Sequence, residues 1–261
     1  MINKSDKLIE RIINISKSLK FHNTIKISSF KDTITTPYKT WPETWKKVYY
    51  KAYPRFQQTI LPRPRQKQYD LQKIVLNRKS YRKFVVKPIL LSEFSDLLYY
   101  SAGLKIWEDK EKLARRVYPS AGGRYPLEVY PFIFNVSGIP SGIYHYHLKT
   151  HSLELILEPP FFKTTMKQFN QPWIKKSGAV LVITAMFDRT VVKYGDRGYR
   201  HIFTEYGHMA QNFYLMASAL DLGCCSIGGF IDDGLNEMLD IDGIDEGVVG
   251  VVVIGRKEKK P

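Results

Sequence analysis

Cysteine is nearly absent from this chain: two residues in 261, Cys224 and Cys225, side by side. A disulfide framework needs separated partners and a metal site needs spaced ligands, so neither is expected. Long apolar runs are missing too. The longest, Ala179–Phe187 and Val248–Ile254, fall far short of the roughly 20 residues of a membrane-spanning helix. The N-terminus carries charge and then an amphipathic pattern, with no apolar core of a secretory signal behind it. The protein therefore reads as cytoplasmic, with no membrane partner. A dinucleotide-binding glycine fingerprint, a Walker A loop, a nucleophile elbow and an H-E-x-x-H zinc pair are all missing. So are helix-turn-helix, zinc-finger and RNP patterns, and no nucleic-acid partner is expected.

What is present is a folded composition, 44% hydrophobic and 13% aromatic over a length that buries a substantial core. The net charge of +15 is uneven: residues 1–70 hold 15 Lys/Arg against 5 Asp/Glu. That basic segment can steer an acidic partner such as a peptide or a phosphate-bearing cofactor, or can be a solvated arm. Residues 1–69 read as a basic, aromatic-rich N-terminal arm and 70–261 as the main domain, with Leu61-Pro62-Arg63-Pro64-Arg65 as the linker.

Ile9, Ile12, Ile13 and Leu19 mark a first helix face, Pro42–Tyr53 a second helix, and Leu71–Leu76 opens a third. Ser92 reads as the N-cap of a helix with Phe94, Leu97 and Leu98 buried, ending at Gly103. Glu128–Val136, Gly142–His147 and Leu153–Leu157 alternate like strands of a meander, and Ala179–Phe187 reads as a central strand. Tyr199–Leu220 is a long helix stopped by Gly223, and Glu246–Gly255 a last buried strand. Short strands mixed with helices point to an α+β fold.

Three pieces bear on chemistry. Tyr118-Pro119-Ser120-Ala121-Gly122-Gly123-Arg124-Tyr125-Pro126 brackets small residues between prolines. It suits a plain tight turn or a cradle for a flat ligand equally well. Arg78-Lys79-Ser80-Tyr81-Arg82 groups donors suited to phosphate or an anionic ring edge, or forms a solvated basic patch. Gly228-Gly229-Phe230 and Gly255-Arg256 supply bare backbone and an arginine at strand exits.

In chain order, with the Arg78–Arg82 cluster first, then the turn, G-x-Y-x-Y, Gly-Gly-Phe and the closing Gly-Arg, and with Trp-Pro-x-x-Trp-Lys at 41–46 ahead, these pieces resemble the nitroreductase superfamily. More narrowly they resemble its SagB-type azoline dehydrogenases, over roughly Asp70 to Lys257. The resemblance implies a nitroreductase-like α+β fold with a central, mostly antiparallel sheet, FMN as cofactor, and a homodimer with its active sites at the interface. It implies that Arg78, Ser80, Arg82 and Arg256 hold the FMN phosphate and polar ring edge. Ser120, Ala121 and Gly122, with Gly228 and Gly229, would then make backbone contacts to the ring. Lys193-Tyr194, ahead of the Arg-Gly-Tyr-Arg that opens the long helix, resembles the family's Lys-Tyr pair. Oxidising an azoline to an azole removes a hydride and a proton, and a lysine whose pKa is depressed by burial can take that proton.

His201, Glu205 and His208 share one helix face at spacings that could suggest a metal, but no ligands from other helices are evident. They read as a polar face near the cofactor or the dimer interface; Gln211 and Asn212 receive no role. The expected function is dehydrogenation of azolines in a ribosomally made precursor peptide, with Lys193 as base, Tyr194 assisting, O₂ as final acceptor and a cyclodehydratase as partner. Two alternatives remain: an NAD(P)H-dependent reductase of dehydroamino acids, nitro groups or quinones, and a non-catalytic scaffold.

Overall fold

The computed structural model describes residues 17–18, 20–26, 38–46, 50–105 and 115–258. In chain order it contains α1 (Glu43–Lys46), β1 (Gln58–Ile60), α2 (Leu71–Asn77), β2 (Phe84–Val85), α3 (Leu91–Ala102), β3 (Leu104–Lys105), β4 (Arg115–Arg116), β5 (Leu127–Ile133), β6 (Gly142–His147) and β7 (Ser152–Leu157). Then come α4 (Phe162–Lys167), β8 (Ala179–Met186), α5 (Asp188–Tyr194), α6 (Arg197–Ala219), β9 (Leu222–Ile227), α7 (Asp232–Met238) and β10 (Glu246–Lys257). One 8-stranded sheet runs β1-β7-β6-β5-β8-β10-β2, with β9 on the other edge of β10, and every pairing in it is antiparallel. The expected α+β architecture with a central antiparallel sheet is borne out.

The sheet buries both faces, which is why β8 and most of β10 are continuously apolar rather than alternating. On one side α3 and α6 supply Phe94, Leu97, Leu98, Ile202, Met209 and Phe213 to the larger core. On the other, Phe132, Phe161, Ile174 and Leu235 close a second. Burying ten such side chains contributes on the order of 1.5–3 kcal/mol each, before chain entropy is subtracted.

Several boundaries differ from the sequence reading. Helix α3 starts one turn-position early, at Leu91, with Leu90 as its N-cap residue. The Ser92 hydroxyl is therefore inside the helix; the Glu93 carboxylate instead reaches back to the Leu90 N–H at 3.0 Å. The expected stop at Gly103 holds. Helix α6 ends at Ala219, ahead of Gly223, because Asp221 takes the left-handed conformation (φ 54°) that ends it. The helix expected over Pro42–Tyr53 is seen only at Glu43–Lys46, and residues 50–53 are not helical. The first expected helix face, Ile9 to Leu19, lies outside the described residues.

The N-terminal segment is not a detached arm where it is described. β1 pairs with β7 through Gln58–Glu154, Thr59–Leu153 and Ile60–Ser152. Leu61 is buried in the larger core, Lys51 pairs with Glu246, and Arg65 with Asp96 at 2.6 Å. No helix among the described residues is long and apolar enough to cross a membrane.

Candidate active site

Residues Ser120–Gly123 form a tight turn immediately before β5, with left-handed backbone at Gly122 (φ 59°), Gly123 (φ 66°) and, unusually for a non-glycine, Tyr125 (φ 48°). The Tyr125 N–H donates to Ser120 Oγ at 2.8 Å, which holds the strained residue against the turn. Gly122 is exposed, and it is glycine for two reasons. Its φ disfavours a side chain, and a Cβ there would stand 2.5 Å from Tyr194 Oη and 2.6 Å from Lys193 Nζ. The turn and the Lys-Tyr pair, 70 residues apart in sequence, are thus in direct apposition.

Lys193 and Tyr194 close α5, a short helix ahead of the long one. Packing of α5 against α6 sets their direction, and His201 on α6 meets the Tyr194 ring edge-on at 5.0 Å. Burial, with Arg124 nearby, pulls the Lys193 ammonium below its ordinary range. Trp41 lies with its ring 3.8 Å from Nζ, a contact worth about 0.5–1 kcal/mol to the charged form. The net shift is nonetheless downward. Burial raises the Tyr194 phenol, Arg124 draws it down and Glu205 raises it further.

Glu205, placed by its spacing on a polar face with His201 and His208, has a contact that the sequence did not specify. It sits on α6 behind the turn, 2% exposed, and its Oε1 accepts the Ala121 N–H at 3.0 Å. Burial pushes its carboxyl up to about 7, with the Ser120 hydroxyl, the Ala121 N–H and Arg116 offsetting part of the cost.

The remaining candidates gather elsewhere. Ser80 Oγ is 2.9 Å from Tyr214 Oη, and the Arg78 guanidinium lies 5.4 Å from the centre of the Tyr214 ring. Tyr214 Oη also accepts the Ser226 N–H at 2.8 Å, tying this group to β9. Arg82 is exposed. Arg256 makes a bidentate pair with Glu93, one arm at 3.1 Å, and donates to the Pro88 carbonyl at 3.0 Å. Gly228 has open space where a Cβ would go, while Gly229 lies against Asn170 and Gln171. Glu205 and Tyr214 are nine residues apart on α6, about two and a half turns. The turn with its Lys-Tyr pair and the Arg78–Ser80 group therefore sit on opposite faces of that helix.

Buried polar groups lie beneath the site. His145 is completely buried between Glu154 (2.8 Å) and Glu128 (3.3 Å). Burial pushes the Glu128 carboxyl up, but the bond from His145 and the charges of Arg189 and Arg116 outweigh it and hold the group at about 2. His145 braces the sheet in this way. His208 is exposed. Among the described residues no cluster of His, Cys, Asp or Glu has the geometry to hold a metal ion.

An antiparallel α+β sheet, a long helix crossing it and a glycine turn set against a Lys-Tyr pair define a nitroreductase-type protein. The chain belongs to the Nitroreductase family, whose model matches residues 75–256. It is 36% identical over 172 residues to "Putative nitroreductase MJ1384" of Methanocaldococcus jannaschii, covering 66% of this chain and 84% of that protein. It is also similar to the trifolitoxin-processing protein TfxB of Rhizobium leguminosarum bv. trifolii (27% identity, 55% of this chain) and the microcin B17-processing protein McbC of Escherichia coli (28%, 49% of this chain). The matched region spans 40% of TfxB and 49% of McbC. A solved structure from Anabaena variabilis, described in the same words as the archaeal protein, superposes with TM-score 0.70 at 27% identity, over 90% of this chain and 45% of that one. A chain of the E. coli McbBCD microcin synthetase complex with truncated pro-MccB17 bound shares the fold (TM-score 0.60, 21% identity, 96% of this chain and 94% of that one). The SagB-type resemblance read from the sequence is borne out by these processing relatives.

Proposed function

We propose that the protein is an FMN-dependent oxidoreductase that dehydrogenates azoline rings to azoles in a ribosomally synthesised precursor peptide. The observation that carries this reading is the apposition of Lys193 Nζ and Tyr194 Oη to Gly122 of the bare-backbone turn. It sets a lysine with a lowered pKa beside an exposed stretch of bare backbone. The residues fit FMN: the exposed Gly122 and the open Gly228 leave backbone accessible to a planar group, and Arg78 with Ser80 is a donor set for phosphate. Ser120, Ala121, Gly122, Gly228 and Gly229 are assigned to the ring, and Arg78, Ser80, Arg82 and Arg256 to the phosphate and polar edge.

When bound, FMN supplies the acceptor for the hydride that leaves the azoline ring. Lys193, neutral, takes the accompanying proton from ring carbon at Nζ. Tyr194 orients the ring and passes the proton onward, and Trp41 screens Nζ from water on the remaining side. The two groups lie on opposite faces of α6, and we read a ligand that uses both as one bound between two copies of the chain. This supports a homodimer. The names of TfxB and McbC support a peptide substrate, and the synthetase complex supports a cyclodehydratase partner.

The test is mass spectrometry of a precursor peptide carrying azolines, incubated with protein, FMN and O₂. The expected result is a loss of about 2 Da per ring, the mass of two hydrogens. No loss sinks the proposal. The name of the Methanocaldococcus jannaschii relative, a nitroreductase, supports one other reading, an NAD(P)H-dependent reductase on the same site. Anaerobic bleaching of bound flavin by NADPH, without azoline oxidation, would replace the first reading with this one.

A further inference from the structure

Glu205 is a buried acid that the proposed chemistry does not use. Its Oε1 accepts the Ala121 N–H at 3.0 Å. Its Oε2 is buried with no hydrogen-bond partner among the described residues. The Ser120 hydroxyl stabilises the same carboxylate and in turn accepts the Tyr125 N–H at 2.8 Å. The turn is thereby gripped at Ser120, Ala121 and Tyr125, on both sides of Gly122. An unpaired buried carboxylate oxygen costs stability, so a residue held this way has an effect besides packing.

We propose that Glu205 is a positioning residue that locks the Ser120–Gly123 turn in the conformation presenting Gly122 to Lys193 and Tyr194. This rests on the reading of the turn as the flavin seat. The groups that face Glu205 are Arg116 on β4, Tyr118 ahead of the turn, and Tyr194 at the end of α5. On its own helix, His201 lies one turn back and meets the Tyr194 ring edge-on. With its carboxyl raised to about 7, the ionised form grips the Ala121 N–H and Ser120 hydroxyl more strongly than the neutral form. The grip therefore tightens as pH rises from about 6 to 8.

Two variants of the full chain, Glu205→Ala and Glu205→Gln, test this with two readouts. The first is hydrogen exchange of residues 118–126 without FMN. Exchange is expected to speed up at least 10-fold in Glu205→Ala, and to return to within about 3-fold of wild type in Glu205→Gln, which keeps the acceptor oxygen. The second is an FMN fluorescence titration between pH 6 and 8. Wild-type affinity is expected to rise with pH, the Gln variant to be flat, and the Ala variant to be weaker by 10-fold or more. A folded Ala variant with wild-type exchange in the turn overturns the proposal. So does a Gln variant that keeps the wild-type pH dependence, and that variant decides alone if the Ala variant does not fold. A wild-type protein that binds no FMN defeats the flavin reading instead, and the exchange comparison still decides the role of Glu205.

Discussion

Gly122 is the residue on which the site turns. Gly122→Ala forces a left-handed backbone on an L residue, at about 1–2 kcal/mol, and drives a methyl into Lys193 Nζ and Tyr194 Oη. A thermal melt is expected to register the first effect. Turnover is expected to fall further than stability, because both side chains must move aside. Lys193→Ala is expected to lower azoline oxidation by about 10²–10⁴-fold, the usual contribution of a general base, while FMN binding is retained. In the wild type, activity should rise with pH through an apparent pKa below that of an ordinary lysine, since burial and Arg124 depress it. A rate profile that shows no such limb, or a variant as fast as wild type, would remove Lys193 from that role. These residues were legible in the sequence because each belongs to a short local motif. Glu205 was not, because nothing local distinguishes a carboxylate that reaches a turn 84 residues away.

Two elements do more than their sequence suggests. The Glu93 side chain both caps α3 and pairs with Arg256 at the exit of β10. Glu93→Ala removes both, with an expected loss of about 1–2 kcal/mol, or roughly 2–4 °C in melting temperature for a chain of this size. Freeing Arg256 from its carboxylate should leave FMN binding undiminished if that guanidinium serves the phosphate, a point a titration of the same variant settles. β1 covers the edge of β7, and Tyr53 donates its N–H to Glu154 at 3.0 Å. Removing residues 1–60 opens that edge to pairing between chains, so light scattering of the truncated protein should show aggregation. Strands such as β8 and β10 were readable because burial on both faces leaves near-continuous apolar runs. β1, three residues with no hydrophobic pattern, owes its state to the neighbour it pairs with.

Across the whole molecule, three buried titrations act on stability in different pH windows. Glu128, held at about 2, contributes stability that is present above the ordinary carboxylate range and lost as pH falls from about 4.5 toward 2. Glu205, raised to about 7, does the reverse: folding weakens as pH climbs from about 4.5 to 7, by about 3 kcal/mol in all. Burial lowers His145, but its bonds to Glu128 and Glu154 outweigh that and raise it. Its contribution is full below about 6.5 and is lost as pH rises through the folded value. The melting temperature should therefore peak in mildly acidic buffer and decline toward both pH 3 and pH 8. Glu205→Gln should flatten the decline between pH 5 and 7. An unchanged profile in that variant would show that the carboxyl does not titrate there.

The amino-acid sequence by itself determined the secondary structure of the central strands and the long helix, the α+β class, and the local chemistry of the turn, the Lys-Tyr pair and the arginine cluster. Each depends on side-chain periodicity or on backbone freedom within a few residues. Only the tertiary structure decided that Gly122 meets Lys193 and Tyr194, that Trp41 covers Nζ, that Arg256 is engaged by Glu93, and that Glu205 grips the turn. Those contacts join residues 71 to 163 positions apart, and they are set by how the helices pack on the sheet. No local rule encodes that packing, because it minimises exposed apolar surface over the whole chain at once.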